Sequence, residues 1–242
     1  MRADGRKADE LRKIEILPGY IEYPEGSVLI TVGKTKVLCN ATIQEGVPRW
    51  MQLQGIPGGW VTAEYAMLPR STVERTNREV SATGGRAQEI RRLIGRSLRA
   101  AVDMEKLGPR TCILDCDVLQ ADGGTRTAAI SGAYVALAIA LRRLPGKGNL
   151  DQKVLKSAIA ATSVGIVNGL ALLDLCYEED SRAEVDVNVV MNDKGEFIEV
   201  QATGEDNTFP RSALDGLLDL AYKGIGELLA LQKNALSTSW NA

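Results

Sequence analysis

Residues 111–144 read TCILDCDVLQADGGTRTAAISGAYVALAIALRRL, and this stretch fixes how the rest of the chain must fold around it. Thr111 to Gln120 carries a strand pattern, its cysteines and aliphatic residues spaced so that one face is apolar. Ala121-Asp122-Gly123-Gly124 breaks that pattern as a loop. From Thr125 to Leu144 the chain reads as a helix that is apolar almost all round. Such a helix has no side to offer to water and must be covered on every face. The elements on either side therefore have to supply the cover.

Upstream, Ser27 to Val32 and Lys36 to Ile43 are β-branched runs joined at Gly33-Lys34-Thr35. A loop through Gly55-Ile56-Pro57-Gly58-Gly59 leads to a strand from Trp60 to Tyr65. After Gly84-Gly85, Ile90, Leu93, Ile94, Leu98 and Ala101 form an apolar stripe at helical spacing, with Arg92, Arg96 and Arg99 opposite. Downstream, a Pro-Gly-rich break at 145–148 precedes a short helix expected over 151–160. Strands are expected over Ser163–Val167, Ala171–Tyr177, Glu184–Met191 and Phe197–Gln201, with Asn192-Asp193-Lys194-Gly195 as a hairpin turn. A final helix is expected from Ala213 to Leu236, opened by a Ser212-x-x-Asp215 capping box. Strands and helices thus come in two successive blocks, an α+β pattern that suggests a duplicated β/α unit within a single domain spanning residues 1–242.

The composition excludes much chemistry. Among 242 residues there is no histidine. A Ser-His-Asp triad, an imidazole base and a His-ligated zinc are all ruled out. The four cysteines (Cys39, Cys112, Cys116, Cys176) form no C-x-x-C pair and read as reduced core thiols. No apolar run is long enough to span a membrane, and the start, MRADGRKADELRK, is too charged for a signal peptide. The expected location is cytoplasmic. The net charge of −2 hides a strong polarity: residues 70–99 hold eight arginines and three acids, whereas residues 170–219 hold thirteen acids and three bases. An anionic ligand on one part and a cation on the other would account for this, as would two faces meeting at an interface.

Four constellations could carry chemistry. Gly33-Lys34-Thr35 resembles the tail of a P-loop, but the required glycine is Val28 and no helix follows, so it reads as a turn. In Asp122-Gly123-Gly124-Thr125-Arg126-Thr127, glycines allow backbone N–H groups to approach an anion at a helix start. Arg126 in the first turn opposes the helix dipole, a conflict that a bound anion would remove; a plain glycine turn with a surface arginine is the alternative. Arg86, after Gly84-Gly85, repeats the arrangement and lies near the apolar stripe, as an inward-turned arginine seeking a carboxylate or phosphate would; a snorkelling surface arginine is the alternative.

The third group is acidic. Glu184, Asp186 and Asn188 share one face of a strand, and Asp180 sits just before it across a short turn. Converging carboxylates suit Mg²⁺, which takes one or two of them together with substrate phosphate oxygens; a solvated polar face is the alternative. Lastly, Arg70, Arg75 and Arg78 form a loop cluster able to hold RNA phosphates or to make subunit salt bridges.

Taken together, EGSVLITVGKTKVLCNATI, WVTAEYAMLPRST, GGRAQEIRRLIGRSLRAAVD, LDCDVLQADGGTRTAAISGAYVALA and EEDSRAEVDVNVVM resemble the bacterial ribonuclease PH family of phosphate-dependent tRNA 3′-end exoribonucleases (tRNA nucleotidyltransferases) over nearly the whole chain. The resemblance implies a ribonuclease PH-type β-α fold (ribosomal protein S5 domain 2-like). It implies a homo-hexamer built as a trimer of dimers, acting on tRNA precursors and other RNA 3′ ends, with neither DNA nor a membrane as partner. It implies inorganic phosphate as co-substrate, bound by Arg86, Gly124, Thr125 and Arg126, and Mg²⁺ held by Asp180 and Asp186. Arg70, Arg75 and Arg78 match the family's RNA-binding loop, and Arg92 is counted with them. The chain departs from the family at Ala66, where glycine is common, at Val73, where histidine is common, and at Gln201-Ala202-Thr203-Gly204-Glu205. None of these touches the phosphate loop or the two aspartates.

Overall fold

The computed structural model describes residues 2, 4–78, 84–144, 154–205 and 208–238. Two antiparallel-dominated sheets lie on either side of one helix. The first has the order β1-β2-β3-β5-β4, built from β1 (Ile14–Pro18), β2 (Gly26–Val32), β3 (Thr35–Glu45), β4 (Trp60–Met67) and β5 (Arg110–Gln120). Only the β4–β5 pair is parallel. The second sheet has the order β7-β6-β8-β9, from β6 (Ile159–Val167), β7 (Leu170–Leu173), β8 (Val185–Asn192) and β9 (Phe197–Gly204), all antiparallel.

The helices are α1 (Arg49–Gln54), α2 (Gly85–Ala101), α3 (Met104–Leu107), α4 (Thr125–Arg143), α5 (Tyr177–Asp180) and α6 (Arg211–Thr238). Helix α4 is the all-round apolar helix of the sequence, and every residue from Thr127 to Leu141 is buried. It packs on β2 and β3 on one side and on β6 and α6 on the other. The cover it requires is thus drawn from both blocks. Helix α2 lays Ile90, Leu93, Ile94 and Leu98 into the core of the first sheet. Leu217, Ala221, Ile225 and Leu228 of α6 close the second, smaller core over β6 to β8.

The contact between β2 and α4 is unusually close. A Cβ on Gly26 would lie 2.0 Å from the carbonyl oxygen of Ala136 and 2.9 Å from the amide nitrogen of Ala140. Backbone has no rotamer with which to yield, so Gly26→Ala must part the sheet from the helix. The expected cost is on the order of 3 kcal/mol or more. Urea unfolding would show it as a fall in midpoint at unchanged slope, and an unshifted midpoint would contradict this packing.

Several sequence expectations need correcting. Strand β1 was hidden by the charged N-terminal segment and by its own short length at a sheet edge. Helix α1 falls where a loop was expected. The expected helix at 151–160 is not formed over its described part beyond Val154: Leu155 bridges Val102 and β6 begins at Ile159. Its first three residues, like the Pro-Gly break at 145–148, lie outside the described residues. The strand expected to reach Tyr177 stops at Leu173, because Asp174 adopts a left-handed backbone (φ +55°), and Tyr177–Asp180 forms helix α5. Ser212 is no cap, since α6 begins at Arg211 and Asp215 pairs with Arg211 at 3.7 Å. Arg99 does not face solvent; its guanidinium stacks over Trp60, 4.6 Å from the ring centroid, and donates to the Val61 carbonyl at 3.0 Å. Gly33-Lys34-Thr35 and Asn192 to Gly195 are turns, as read.

Candidate active site

A cavity of about 690 Å³ opens where the two sheets meet at the start of α4. One wall is the glycine loop. Gly123 and Gly124 both have left-handed backbones (φ +74° and +65°), and Gly124 caps α4 without any side-chain hydrogen bond. The amide N–H groups of Gly123 and Gly124 find no acceptor among the described residues. Helix α2 likewise starts uncapped at Gly84, with no acid in its first turn. Two helix starts without a side-chain cap among the described residues thus lie beside one cavity, each carrying an arginine in its first turn. Free donors and the positive end of the dipole make such starts anion-binding.

Arg86, Gly124, Thr125 and Arg126 all line the cavity, together with Asp180 and Asp186 on the facing wall. Arg86 is exposed rather than turned into the core, which corrects the inward orientation inferred from its helical position. Arg126 is half-buried, with Nη1 donating to Gln201 Oε1 at 3.3 Å and lying 3.7 Å from Glu89. Thr125 Oγ1 is 2.8 Å from the buried Tyr65 hydroxyl. Burial pushes the Tyr65 phenol up, so the phenol stays protonated and able to donate.

The acidic wall belongs to the second block. Asp180 closes the short helix α5, which is fixed from behind by the buried Glu179. That carboxylate accepts two bonds from Arg2, both at 2.7 Å, and one from the Cys176 amide at 3.1 Å. Asp186 lies on β8, where Asn188 donates to its Oδ2 at 3.2 Å, while its Oδ1 is buried without a partner among the described residues. Burial and the neighbouring Asp180 charge push the Asp186 carboxyl up to about 6. Asp180 is raised too, by burial, although Arg86 and Arg126 oppose the shift. Glu205 also lines the cavity, and its charge adds to the repulsion on both aspartates. With Gln201 bonded to Arg126 and Thr203 paired with Asp186 across the sheet, the departure at 201–205 does touch the site, which corrects the expectation from sequence. Glu184, expected on this face, is exposed and bonds the Gly169 amide at 3.0 Å instead.

Arg70, Arg75, Arg78 and Arg92 are exposed and do not line the cavity. Val73 is 93% exposed and is equally absent from it. Of the cysteines, Cys39, Cys112 and Cys116 are buried thiols and Cys176 is half-buried. Burial pushes Cys112 up to about 12, so that thiol is inert.

Sequence reading missed the supporting residues Arg2, Arg12, Tyr65 and Asn188's bond to Asp186. One signal for the arginines was present. Asp174 interrupts the apolar run Leu172-Leu173-Asp174-Leu175-Cys176, and a carboxylate buried in such a run requires a cation from elsewhere.

Comparison with known proteins identifies the family. The 3′ exoribonuclease family matches through its domain 1 at residues 10–142 and its domain 2 at residues 157–224. Ribonuclease PH of Bacillus pumilus (strain SAFR-032) is 59% identical over 96% of this chain and 97% of its own length. Ribonuclease PH of Saccharopolyspora erythraea is 57% identical over 99% and 96%. Among solved structures, rice (Oryza sativa) Rrp46 superposes with a TM-score of 0.77 at 17% identity, each chain covered in full. The Archaeoglobus fulgidus exosome with RNA bound to the active site gives 0.75 at 24%, covering 94% of this chain and 91% of that one. Sequence, two-block architecture and cavity therefore converge, and the chain belongs to the ribonuclease PH family of 3′ exoribonucleases.

Proposed function

We propose that this chain shortens RNA from its 3′ end by phosphorolysis in the cavity between the glycine loop and the two aspartates. The observation that carries the reading is the gathering of Arg86, Gly124, Thr125 and Arg126 on one wall against Asp180 and Asp186 on the other. The reaction joins a phosphate oxygen to the phosphorus of the terminal phosphodiester and breaks that phosphorus's bond to the 3′ oxygen of the preceding nucleotide. Hydrogen phosphate supplies both the new bond and, in the overall balance, the proton taken by the departing oxygen. A nucleoside diphosphate leaves, and no separate base is required, in keeping with a chain that has no histidine.

The obstacle is the approach of two anions. Arg86, Arg126 and the free amides at the start of α4 hold the nucleophile, so the cost of positioning is met before reaction. Thr125, held by Tyr65, adds a directed hydroxyl. The buried, unpartnered Asp186 Oδ1 beside Asp180 suits a divalent cation, and a pair of carboxylates is enough for Mg²⁺ when substrate oxygens complete its shell. Bound by these residues, Mg²⁺ would neutralise charge on the scissile phosphate.

The arginines outside the cavity, Arg70, Arg75, Arg78 and Arg92, hold the RNA backbone of tRNA precursors beyond the reacting nucleotide. Exposed apolar side chains such as Tyr23 (95%) and Leu53 (76%) support a homo-hexameric ring, a trimer of dimers, in which they are covered. Among the described residues no helix is long and apolar enough to cross a membrane.

Incubation with a 3′-extended tRNA and Mg²⁺, with and without phosphate, tests the reading. Nucleoside diphosphates are expected only when phosphate is present. Monophosphates formed without phosphate would mean hydrolysis, and no product in either case would leave an RNA-binding ring subunit without catalysis.

A further inference from the structure

The phosphate loop is held from behind by residues that cannot touch the substrate. Arg12 is 5% exposed and does not line the cavity. Its guanidinium is seated on the buried Asp174, with Nε to Oδ2 at 3.0 Å and Nη2 to Oδ1 at 2.7 Å, and its own amide donates to Oδ2 at 2.8 Å. From that seat Nη1 reaches the carbonyl of Asp122, and Nη2 lies 3.5 Å from the carbonyl of Gly123. Thr35 completes the arrangement: its Oγ1 donates to the Gly123 carbonyl at 2.7 Å and accepts from the Asp122 amide at 2.9 Å.

The direction of these bonds matters. In a trans peptide the carbonyl and the following N–H point in opposite directions, and no peptide here is cis. Drawing the carbonyls of Asp122 and Gly123 back onto Arg12 and Thr35 therefore turns the N–H groups of Gly123 and Gly124 the other way, into the cavity they line. The fit is close, since a Cβ at Gly124 would sit 2.9 Å from Arg12 Nη2. Asp174 holds its position at a left-handed backbone (φ +55°), the kind of local conformation that persists where its surroundings fix it.

We infer that Arg12, seated on Asp174 and assisted by Thr35, is a positioning residue that aims the Gly123 and Gly124 amides at the attacking phosphate. This rests on the phosphate role proposed for that loop. A residue with this role governs phosphate binding and leaves RNA binding alone, because it aligns donors for one substrate only.

The test is steady-state phosphorolysis by the full-length protein, varying phosphate at saturating RNA and RNA at saturating phosphate. It is paired with the rise in melting temperature that phosphate alone produces. Arg12→Lys keeps the charge and loses the planar fork; Thr35→Val keeps shape and charge and loses both loop bonds; Thr35→Ser restores the hydroxyl. Arg12→Lys and Thr35→Val are each expected to raise the KM for phosphate about tenfold or more. The KM for RNA should stay within about twofold and kcat within about threefold, and the phosphate-induced thermal shift should shrink. Thr35→Ser should return to within about twofold of wild type.

A folded variant whose two KM values rise together, or whose phosphate KM does not move, overturns the proposal. So does failure of both Arg12→Lys and Thr35→Val to fold, which would make the role purely structural. Should wild type itself neither require nor bind phosphate, the functional reading falls along with the latch. A wild type that requires phosphate beside variants with unchanged phosphate KM overturns the latch alone.

Discussion

Replacing Arg126 with alanine is expected to lower kcat/KM for phosphate by about 10³-fold, while the Kd for tRNA changes by no more than about threefold. The magnitude follows from its place. Arg126 sits at a helix start without a side-chain cap, where its charge opposes the dipole; among the described residues its hydrogen bond and ion pair are to a glutamine oxygen at 3.3 Å and a carboxylate at 3.7 Å. Neither contact is close enough to satisfy a guanidinium, so the fork remains available to an anion in the cavity. Arg126→Lys would recover part of the loss, because a lysine supplies the charge without the paired donors. Kinetics at varied phosphate, with tRNA binding measured by filter retention, would decide the matter. Loss of tRNA binding to the same degree as turnover would mean that Arg126 holds RNA and not phosphate.

Asp186→Asn is expected to abolish measurable turnover and yet to make the metal-free protein more stable at pH 8. Burial and the charge of Asp180 push the folded carboxyl up to about 6, well above the ordinary carboxylate range. Folding therefore favours its protonated form. Above pH 6 the buried charge opposes folding, and this penalty is relieved as pH falls from 6 towards 4. A shift of that size corresponds to about 2 to 3 kcal/mol before solvent and relaxation reduce it. Asparagine carries no charge, so the variant's advantage in melting temperature should be full at pH 8 and absent below about pH 4. Mg²⁺ should raise the melting temperature of wild type at pH 8 far more than that of the variant. A variant whose advantage over wild type is the same at pH 8 and pH 4 would contradict the raised carboxyl, and one that still responds to Mg²⁺ like wild type would remove Asp186 from the proposed metal site. A destabilised functional carboxylate is a common exchange of stability for activity.

Much of this was legible in the sequence, for identifiable reasons. The β2–β3 hairpin, β5, α2 and α4 follow directly from periodicity, because each buries one defined face or, for α4, all of them. The glycine loop before α4 and the cavity-facing place of Asp186 were legible because glycines, a misplaced arginine and strict alternation are local signals. What escaped depends on partners distant in sequence. Asp180 was placed just before β8 across a short turn, where it lies, but the helix it ends was not legible, because its anchor is a bond between Glu179 and Arg2, 177 residues apart. Strand β1 is invisible as a strand until β2 pairs with it. The short helices α1 and α3 have too few residues for a periodic pattern. Arg92 and Arg99 share one arginine-rich face in the sequence, and only the neighbouring Trp60 decides that Arg99 folds down while Arg92 stays exposed.

Helix α4 has a further consequence. The Gly123 and Gly124 amides lie directly before its first turn, and the helix is enclosed between elements of both blocks. Its amides can exchange with solvent deuterium only when the two blocks come apart. The cavity at the start of α4 is therefore not a patch that can breathe while the rest of the molecule stays closed. Denaturant should extinguish activity in the same transition that unfolds the chain, with no inactive, still-folded species in between.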